Sequence, residues 1–523
     1  MKKGEVWLHG LLVAALLICA AGVRLYRIDD ESLWLDEHIT WNNIESPRFR
    51  DYIAELRTRD TTFVPAYYTL LYYFGMVTGH NVTAARTLSA GFGLVTVLLV
   101  YLIARRTFGP AAGIAALVMA AFSNTHVYYA QEIRVYALYS MAALLSVWTL
   151  GFALRRPHPL IWTVHLCANV LLVFSHYFGA LFLLAEGGYL LLFHRASKKR
   201  LAGWFLAQAA LAGLLMLWMS GIRRDVLEVT TGFLQVPRAA TLEYAFAWTA
   251  LYWPRSLYSL AFLSRITLDM LLLLCVYCYW TRVASERARE RWGMAVLYGL
   301  LMLLPLTASL AACYVVRPVL TLRYVLPASL LFFILVGGAV GSLPFRTLRW
   351  GAVFLLACLM VAHHVEAARP YRPNIKQMGE TLAASRGAGD GLVLESIVDA
   401  YARRMYVDFP EENVHQCPSK SELPGLVTSL LDRHAAVWVL CEFGYSRNYS
   451  SLEELEDVLR QGGQEVERRE LSSGHYTFMT NSNWPDLSDI GQSIVLYRVS
   501  KPFSGGQVQS RTIRPAAISI FSS

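Results

Sequence analysis

The sequence predicts a polytopic α-helical membrane protein of about eleven spans with a C-terminal exported α/β domain. Of its 523 residues, 55% are hydrophobic and 16% are charged, whereas soluble globular chains carry about 25% charged residues. Charge is sparse up to about Ala362 and ordinary for a soluble protein from Glu366 onward. We therefore predict a transmembrane domain over 1–366, a soluble domain over 367–500 and a disordered tail over 501–523.

A membrane span needs about 20 predominantly apolar residues, and eleven segments come close to this length. They are 6–26, 84–104, 110–129, 135–154, 159–175, 177–194, 201–221, 258–280, 293–313, 323–342 and 349–366. The first follows Lys2 and Lys3 and resembles a signal peptide. Its apolar run is longer than a typical signal region, and many spans follow it, so we predict an uncleaved anchor.

The tyrosine-rich segment 64–79 is short for a span, and the basic residues decide its topology. If it does not cross, nearly every basic cluster falls on the cytoplasmic side, as the positive-inside rule requires. These clusters are Lys2/Lys3, Arg105/Arg106, Arg155/Arg156, Arg195 with Lys198–Arg200, Arg282 with Arg287–Arg291, and Arg346/Arg349. We predict an interfacial or re-entrant helix there. The N-terminus is then cytoplasmic, and the first loop (27–82) and all residues after about 365 lie outside.

The net charge of +9 is accounted for by these short clusters between apolar runs. A nucleic-acid-binding protein would gather its basic residues on one element or face. The distribution therefore excludes nucleic acid as a partner and predicts a chain embedded in a lipid bilayer, in which basic residues set the orientation.

The C-terminal part alternates helical and strand patterns, which is typical of an α/β layer domain. The predicted helices are 375–386, 399–407, 423–433 and 452–461, and the predicted strands are 391–395, 436–440 and 493–499. No glycine-rich phosphate loop follows any strand, so nucleotide binding is not indicated. If the domain is exported, Cys417 and Cys441 can form a disulfide; two reduced thiols are the alternative.

The first outer loop contains adjacent carboxylates, Asp36 and Glu37, directly after the apolar residues Leu33-Trp34-Leu35. If those apolar residues enter the membrane interface, a carboxylate is held at membrane depth, where it can take a proton from an incoming nucleophile. The alternative is an ordinary solvated acidic loop.

A second polar group is Tyr128-Tyr-Ala-Gln-Glu-Ile-Arg-Val-Tyr136, in the turn between two predicted spans. Arg134 can hold a phosphate while Glu132 positions it or the acceptor, with Tyr136 beside them. Alternatively, Glu132 and Arg134 pair only with each other, as intramembrane charges often do.

Two further groups fall on the same predicted outer face. His176 and Tyr177 lie between spans, where a histidine is either structural or part of a site. Arg323 and Tyr324 begin a span, and an arginine there runs against the positive-inside rule, so it needs an anionic partner such as a lipid phosphate. Glu186 lies inside a span, and its role stays open.

Together these groups resemble the GT-C superfamily of membrane glycosyltransferases, in particular the bacterial branch related to protein O-mannosyltransferases and lipid A aminoarabinose transferases. Four motifs carry the resemblance in the same order along residues 6–366. They are Ser32-Leu-Trp-Leu-Asp-Glu37, Tyr128–Leu138, His176-Tyr-Phe-Gly179 and Leu322-Arg-Tyr-Val-Leu-Pro327.

The resemblance implies transfer of a sugar from a polyprenyl phosphate to an outer-face acceptor (a protein, a lipid or a polysaccharide) with inversion at the anomeric carbon. It carries the role of catalytic base onto Asp36, with Glu37 in support or in contact with the acceptor. Arg134 and Arg323 become candidates to bind the lipid phosphate. We expect the other polar and aromatic residues of these motifs to line the substrate site: Glu132, Tyr136, His176, Tyr177 and Tyr324.

One position departs from the family pattern. Relatives often show His-Pro-Pro-Leu-Tyr-Tyr where this chain has Phe63-Val-Pro-Ala-Tyr-Tyr68, so a metal or acceptor contact made there in relatives is in doubt. We expect no cofactor and no required metal, although a divalent metal is not excluded.

Three other functions are alternatives to sugar transfer. A transporter or flippase would show repeats and helices broken at the midplane, whereas here the polar residues collect at the outer ends of spans. A ligase or polymerase of lipid-linked polysaccharides would use the same face with a longer donor. A relative without catalysis would only bind the lipid-linked sugar.

Overall fold

The computed structural model describes residues 3–41, 44, 46–59, 64–156, 158–193, 198–220, 286–316, 319, 322–367, 375–394, 406–417, 420–443, 452–460, 464–474 and 492–501. Several predictions lie outside these residues: the span 258–280, most of the helix 399–407, Phe63, and nearly all of the tail. The described residues form two compact units. One comprises the described residues within 1–28 and 39–368, and the other those within 29–38, 369–480 and 486–501.

The first unit is almost entirely helical. The helices in chain order are α1 (Lys3–Leu25), α2 (Leu35–Trp41), α3 (Phe49–Arg59), α4 (Pro65–Thr78), α5 (Val82–Phe108), α6 (Pro110–Phe122), α7 (Asn124–Ala130), α8 (Tyr136–Arg155), α9 (Pro159–Ser175), α10 (Gly179–Phe193), α11 (Lys198–Met219), α12 (Glu286–Val315), α13 (Leu326–Ser342) and α14 (Arg346–Ala367). All belong to the first unit except the first four residues of α2, which belong to the second.

Six of the described helices are long and apolar enough to cross a membrane, or seven if the bent pair α6–α7 is counted as one span. Helices α9 and α10 are apolar but shorter. The chain is therefore an integral membrane protein, as the sequence predicts. Each of the ten predicted spans that fall on described residues coincides with a helix or a helix pair. The tyrosine-rich α4 has 14 residues, about 21 Å of helix, which is too short to cross the hydrocarbon core.

One predicted span, 110–129, is not a single straight helix. It is divided into α6 and α7, which are bent by 60° at Ser123. The buried guanidinium of Arg24 donates hydrogen bonds to the carbonyl oxygens of Ala120 and Ala121, both at 2.9 Å. These carbonyls end α6 and need a donor that lipid cannot supply. A side chain from α1 therefore stabilises the bend.

The second unit contains a five-stranded mixed sheet, which confirms the predicted α/β region. Its strands are β1 (Gly391–Leu394), β2 (Val414–Gln416), β3 (Ala436–Phe443), β4 (Glu465–Gly474) and β5 (Gln492–Ser500), in the order β2-β1-β3-β5-β4. Strand β1 pairs in parallel with β2 and β3, and β5 pairs antiparallel with β3 and β4. The sequence prediction missed β2 and β4; β4 is rich in charged residues, and β2 has only three residues.

Helices cover both faces of this sheet. Helix α15 (Ile375–Ser385) packs on one face, with Met378 and Leu382 against Trp438. Helices α16 (Leu423–Leu431) and α17 (Leu452–Leu459) pack on the other. Successive residues of β3 alternate between the two cores, as the pleat of a strand requires. Cys417 and Cys441 are both buried in the second of these cores, and their disulfide stays a prediction.

Candidate functional site

The two adjacent carboxylates of the first loop have different surroundings. Both lie in the first turn of α2, where negative charge is favoured by the helix dipole. The Glu37 side chain is fully buried, and its Oε2 accepts a hydrogen bond from the backbone N–H of Trp34 at 3.4 Å. This return contact to the helix start is the second half of a capping box. Asp36 is only partly buried, so the two neighbouring carboxylates differ in exposure.

The segment 29–38 is held by the C-terminal residues of the same unit. The backbone N–H of Leu33 donates to the hydroxyl of Tyr406 at 3.0 Å, and Ser32 Oγ accepts from the backbone N–H of Lys376 at 2.9 Å. Lys376 lies in the first turn of α15, so a serine about 340 residues earlier satisfies a donor at the start of this helix. The position of Asp36 therefore depends on residues of the C-terminal domain.

His38, which none of the predicted motifs singles out, is fully buried and faces the Tyr406 ring edge-on at 6.3 Å between ring centroids. Burial lowers the pKa of His38 to about 4, although the neighbouring Glu37 carboxylate acts in the opposite direction. Because burial disfavours the charged imidazolium, the folded protein holds this residue in its neutral form at neutral pH. No local sequence pattern could have indicated this environment.

We expect acidification to destabilise the unit that contains His38. The folded-state pKa of His38 lies below the ordinary value of 6.5. The stability that neutral His38 contributes to the folded state is therefore fully present above pH 6.5 and is lost as the pH drops toward 4. The expected loss is about 1.4 kcal/mol per pH unit in that window. Thermal unfolding of the full chain between pH 7 and pH 5 measures it, with His38→Asn as a variant that cannot titrate. Equal losses of Tm in the two proteins would contradict this prediction.

In the other unit, Glu132 and Arg134 lie in the turn between α7 and α8, and both are buried. The Arg134 Nη1 donates to Thr40 Oγ1 at 3.0 Å and to the hydroxyl of Tyr68 at 3.2 Å. Arg134 thus connects the turn to α2 and to the tyrosine-rich α4. A guanidinium carries five N–H donors in a fixed, forked geometry that suits the oxygens of a phosphate or a carboxylate.

Tyr52, in α3, is a second residue that the sequence analysis did not single out. Its side chain is fully buried and stacks on Tyr72 with 5.5 Å between ring centroids. Burial raises the pKa of Tyr52, as does the nearby Tyr67, whereas the positive charge of Arg134 lowers it. Tyr52 is therefore a neutral hydroxyl within electrostatic range of Arg134.

The predicted residues of the remaining motifs come together in one aromatic cluster. The ring of His176 lies 4.8 Å from Tyr177, 4.7 Å from Tyr324 and 6.3 Å from Tyr136, measured between centroids. The guanidinium of Arg323 lies over the rings of Tyr136 and Tyr324 at 5.7 and 5.9 Å, distances at which cation–π attraction acts. Three separate stretches of sequence therefore form one largely buried basic and aromatic cluster.

The tautomer of His176 follows from a hydrogen bond. Its Nδ1 accepts from the backbone N–H of Phe178 at 3.2 Å, so in the neutral ring the proton is on Nε2. Over the described part of the chain, no group of three or more His, Cys, Asp and Glu side chains has the geometry to hold a metal ion.

Comparison with known proteins gives the context for this geometry. Residues 60–220, which include α4 and the Glu132–Arg134 turn, match a family model described as dolichyl-phosphate-mannose-protein mannosyltransferase. No curated protein sequence matches the chain. The apo crystal structure of ArnT from Cupriavidus metallidurans matches with a TM-score of 0.56 and 12% identity, over 95% of this chain and 98% of that one.

The chain has the GT-C fold. This finding confirms the resemblance predicted from the four motifs. ArnT has also been solved with bound undecaprenyl phosphate, and that structure matches over the same shares with a TM-score of 0.48 and 13% identity. An Archaeoglobus fulgidus oligosaccharyltransferase tethered to an acceptor peptide matches with a TM-score of 0.49 and 12% identity, over 84% of this chain and 69% of that one.

Proposed function

We propose that this protein is a glycosyltransferase that moves a sugar from a polyprenyl-phosphate donor to an acceptor at the outer face of the membrane. The observation that carries the proposal is the match of residues 60–220 to a family whose description names a lipid-phosphate sugar donor. The matched region contains Arg134, a buried cation of the kind that binds phosphate. The GT-C fold of the chain supports the same reaction class.

In the proposed reaction, Asp36 takes the proton from the acceptor hydroxyl as its oxygen attacks the anomeric carbon. The bond between that carbon and the phosphate oxygen breaks, and the electron pair leaves with the polyprenyl phosphate. Because attack comes from the face opposite the leaving group, the configuration inverts. Asp36 serves as the base because it is half-buried, whereas Glu37 is turned inward to cap its own helix.

The leaving phosphate carries negative charge that must be neutralised as the bond breaks. Arg134 and Arg323 are the proposed phosphate ligands, since both guanidinium groups are buried among hydroxyl-bearing and aromatic side chains. Glu132 positions the phosphate or the acceptor. The aromatic residues Tyr136, His176, Tyr177 and Tyr324 line the sugar site in this proposal, because flat rings pack well against sugar rings.

The proposed location is a bacterial inner membrane, with the N-terminus in the cytoplasm and the C-terminal domain outside. The asymmetry of basic residues between the loops supports this orientation. It places the acceptor in the cell envelope.

The proposal predicts that cells lacking the protein lose one sugar substituent from an envelope component. Mass spectrometry of envelope glycans, glycolipids and glycoproteins from cells with and without the gene measures this, with Asp36→Asn expressed at equal level as the control. Loss of the sugar in both the deletion and the variant strain supports transfer. A variant that restores the sugar fully would remove Asp36 as the base, and a deletion strain that loses no sugar would contradict the proposed transfer.

A further inference from the structure

A buried polar network lies within the helices α8–α11, apart from the aromatic cluster. Glu186 is fully buried, and its Oε1 lies 2.7 Å from Ser146 Oγ, which is also 2.6 Å from Asn169 Oδ1. His165 joins the network, with its Nε2 3.6 Å from Glu186 Oε2. The indole N–H of Trp204 donates to the same His165 nitrogen at 3.3 Å. This network holds α11 beside α9 through one tryptophan.

Next to Trp204, the helices α9 and α11 form an open, groove-like cavity of about 270 Å³. On α11 it is lined by Arg200, Gly203 and Ala207, whose spacing of three and four residues puts them on one face of the helix. The two small residues leave the space open, and a Cβ added at Gly203 would meet no atom within 4 Å. Leu166 supplies apolar surface from α9.

Two residues that line this cavity each carry a buried polar atom with no hydrogen-bond partner in the described part of the chain. The indole nitrogen of Trp162 and the Oε1 of Gln208 are buried, and neither has a hydrogen-bond partner among the residues that the structure describes. One is a donor and the other an acceptor. Because an unsatisfied buried polar atom destabilises the folded protein, a ligand with both an acceptor oxygen and a donor is favoured here.

The charge at one end of the cavity indicates the ligand's headgroup. Helix α11 begins with three exposed basic residues, Lys198, Lys199 and Arg200, and Arg200 lines the cavity itself. From Arg200 to Gln208 the helix rises about 12 Å, which is comparable to the distance from a lipid phosphate to the first part of its acyl chains. Positive charge at a helix start, followed by an apolar groove with two polar atoms, complements an anionic phospholipid.

We propose that the cavity between α9 and α11 binds an anionic glycerophospholipid of the surrounding bilayer. Its phosphate contacts Arg200, its ester oxygens accept from the indole N–H of Trp162, and an acyl chain lies over Gly203 and Ala207. A water molecule bound beside the lipid esters donates to Gln208. This site is separate from the proposed transfer reaction and does not depend on it.

The test uses two glycines of the same helix as a matched pair. Gly203 lines the cavity, whereas Gly213 does not, and an added Cβ meets nothing within 4 Å at either position. Gly203→Trp places a large side chain at the cavity, and Gly213→Trp places the same side chain elsewhere on α11. The full-length protein is delipidated in detergent and titrated with dioleoyl phosphatidylglycerol or dioleoyl phosphatidylcholine, and bound lipid is counted by native mass spectrometry.

We expect one phosphatidylglycerol to bind more tightly than phosphatidylcholine, by about five- to tenfold. Gly203→Trp should abolish this preferred binding, and Gly213→Trp should leave it unchanged. Arg200→Gln should weaken phosphatidylglycerol binding by about five- to tenfold, the same factor by which this lipid is preferred over phosphatidylcholine. Lys199→Gln should weaken it less, because of these two residues only Arg200 lines the cavity. Equal binding of the two lipids, or equal binding by the two tryptophan variants with unchanged Tm in detergent, would overturn the proposal.

Discussion

Replacement of Asp36 by asparagine is expected to reduce the rate of sugar transfer by about 10²- to 10⁴-fold and to leave donor affinity nearly unchanged. An amide cannot accept the acceptor's proton, and general-base catalysis contributes a factor of this size. Asparagine has almost the same shape as aspartate and is also a good residue for a helix start, so α2 should form as before. Transfer from a polyprenyl-phosphate sugar to a supplied acceptor, followed by mass spectrometry, measures the rate.

The neighbouring carboxylates supply the controls for this experiment. Glu37→Gln keeps an oxygen that can accept from the Trp34 backbone, so it should retain most of the activity. Asp30→Asn removes the same charge from an exposed position in the same loop and should have little effect. If Asp36→Asn turns over at the natural rate, or if all three variants lose activity equally, Asp36 is not the base.

Replacement of Arg134 by alanine is expected to weaken donor binding by about 10- to 100-fold, since a charge-assisted hydrogen bond to phosphate contributes about 1.5–3 kcal/mol. Arg134→Lys keeps the charge but loses the forked geometry that suits phosphate. Its donor affinity should therefore lie between that of the natural protein and that of Arg134→Ala. Binding of a fluorescent polyprenyl phosphate to the detergent-solubilised protein measures the affinity directly, without turnover.

Two further variants separate charge from structure in this experiment. Tyr68→Phe removes one acceptor of the Arg134 guanidinium but keeps its charge, and should reduce affinity by no more than about tenfold. Arg323→Ala should weaken binding of the phosphate as Arg134→Ala does, because its guanidinium lies over Tyr136, two residues from Arg134. If neither alanine variant changes affinity while the Tm stays the same, the phosphate is bound elsewhere.

The sequence was sufficient to locate the helices because membrane insertion leaves a strong and local signal. A run of about 20 apolar residues has few alternative structures in a bilayer. The 60° bend between α6 and α7 has no such signal, because its cause is Arg24, almost 100 residues earlier in the chain. In the soluble region, β1 and β3 were recognisable as buried apolar strands, whereas the charged β4 was not.

The residues of the candidate site also fall into those that the sequence predicts and those that it does not. The motifs at residues 132–136, 176–177 and 323–324 were predicted individually, and the structure brings them into one cluster around His176. Tyr52, Thr40 and His38 were missed because their significance comes from partners distant in sequence: Tyr52 and Thr40 from Arg134, and His38 from Tyr406. Nothing in their immediate sequence distinguishes them from other loop residues.

The hydrogen bonds of Leu33 to Tyr406 and of Lys376 to Ser32 bear on how such proteins can diversify. A C-terminal domain exchanged for that of a distant relative would also have to supply the hydroxyl and the free helix-start amide that hold the segment before Asp36. Recombination at the junction near residue 368 would then separate the acidic loop from its support. The segment 29–38 and the C-terminal domain are therefore expected to be inherited together, although residues 39–368 lie between them in the chain.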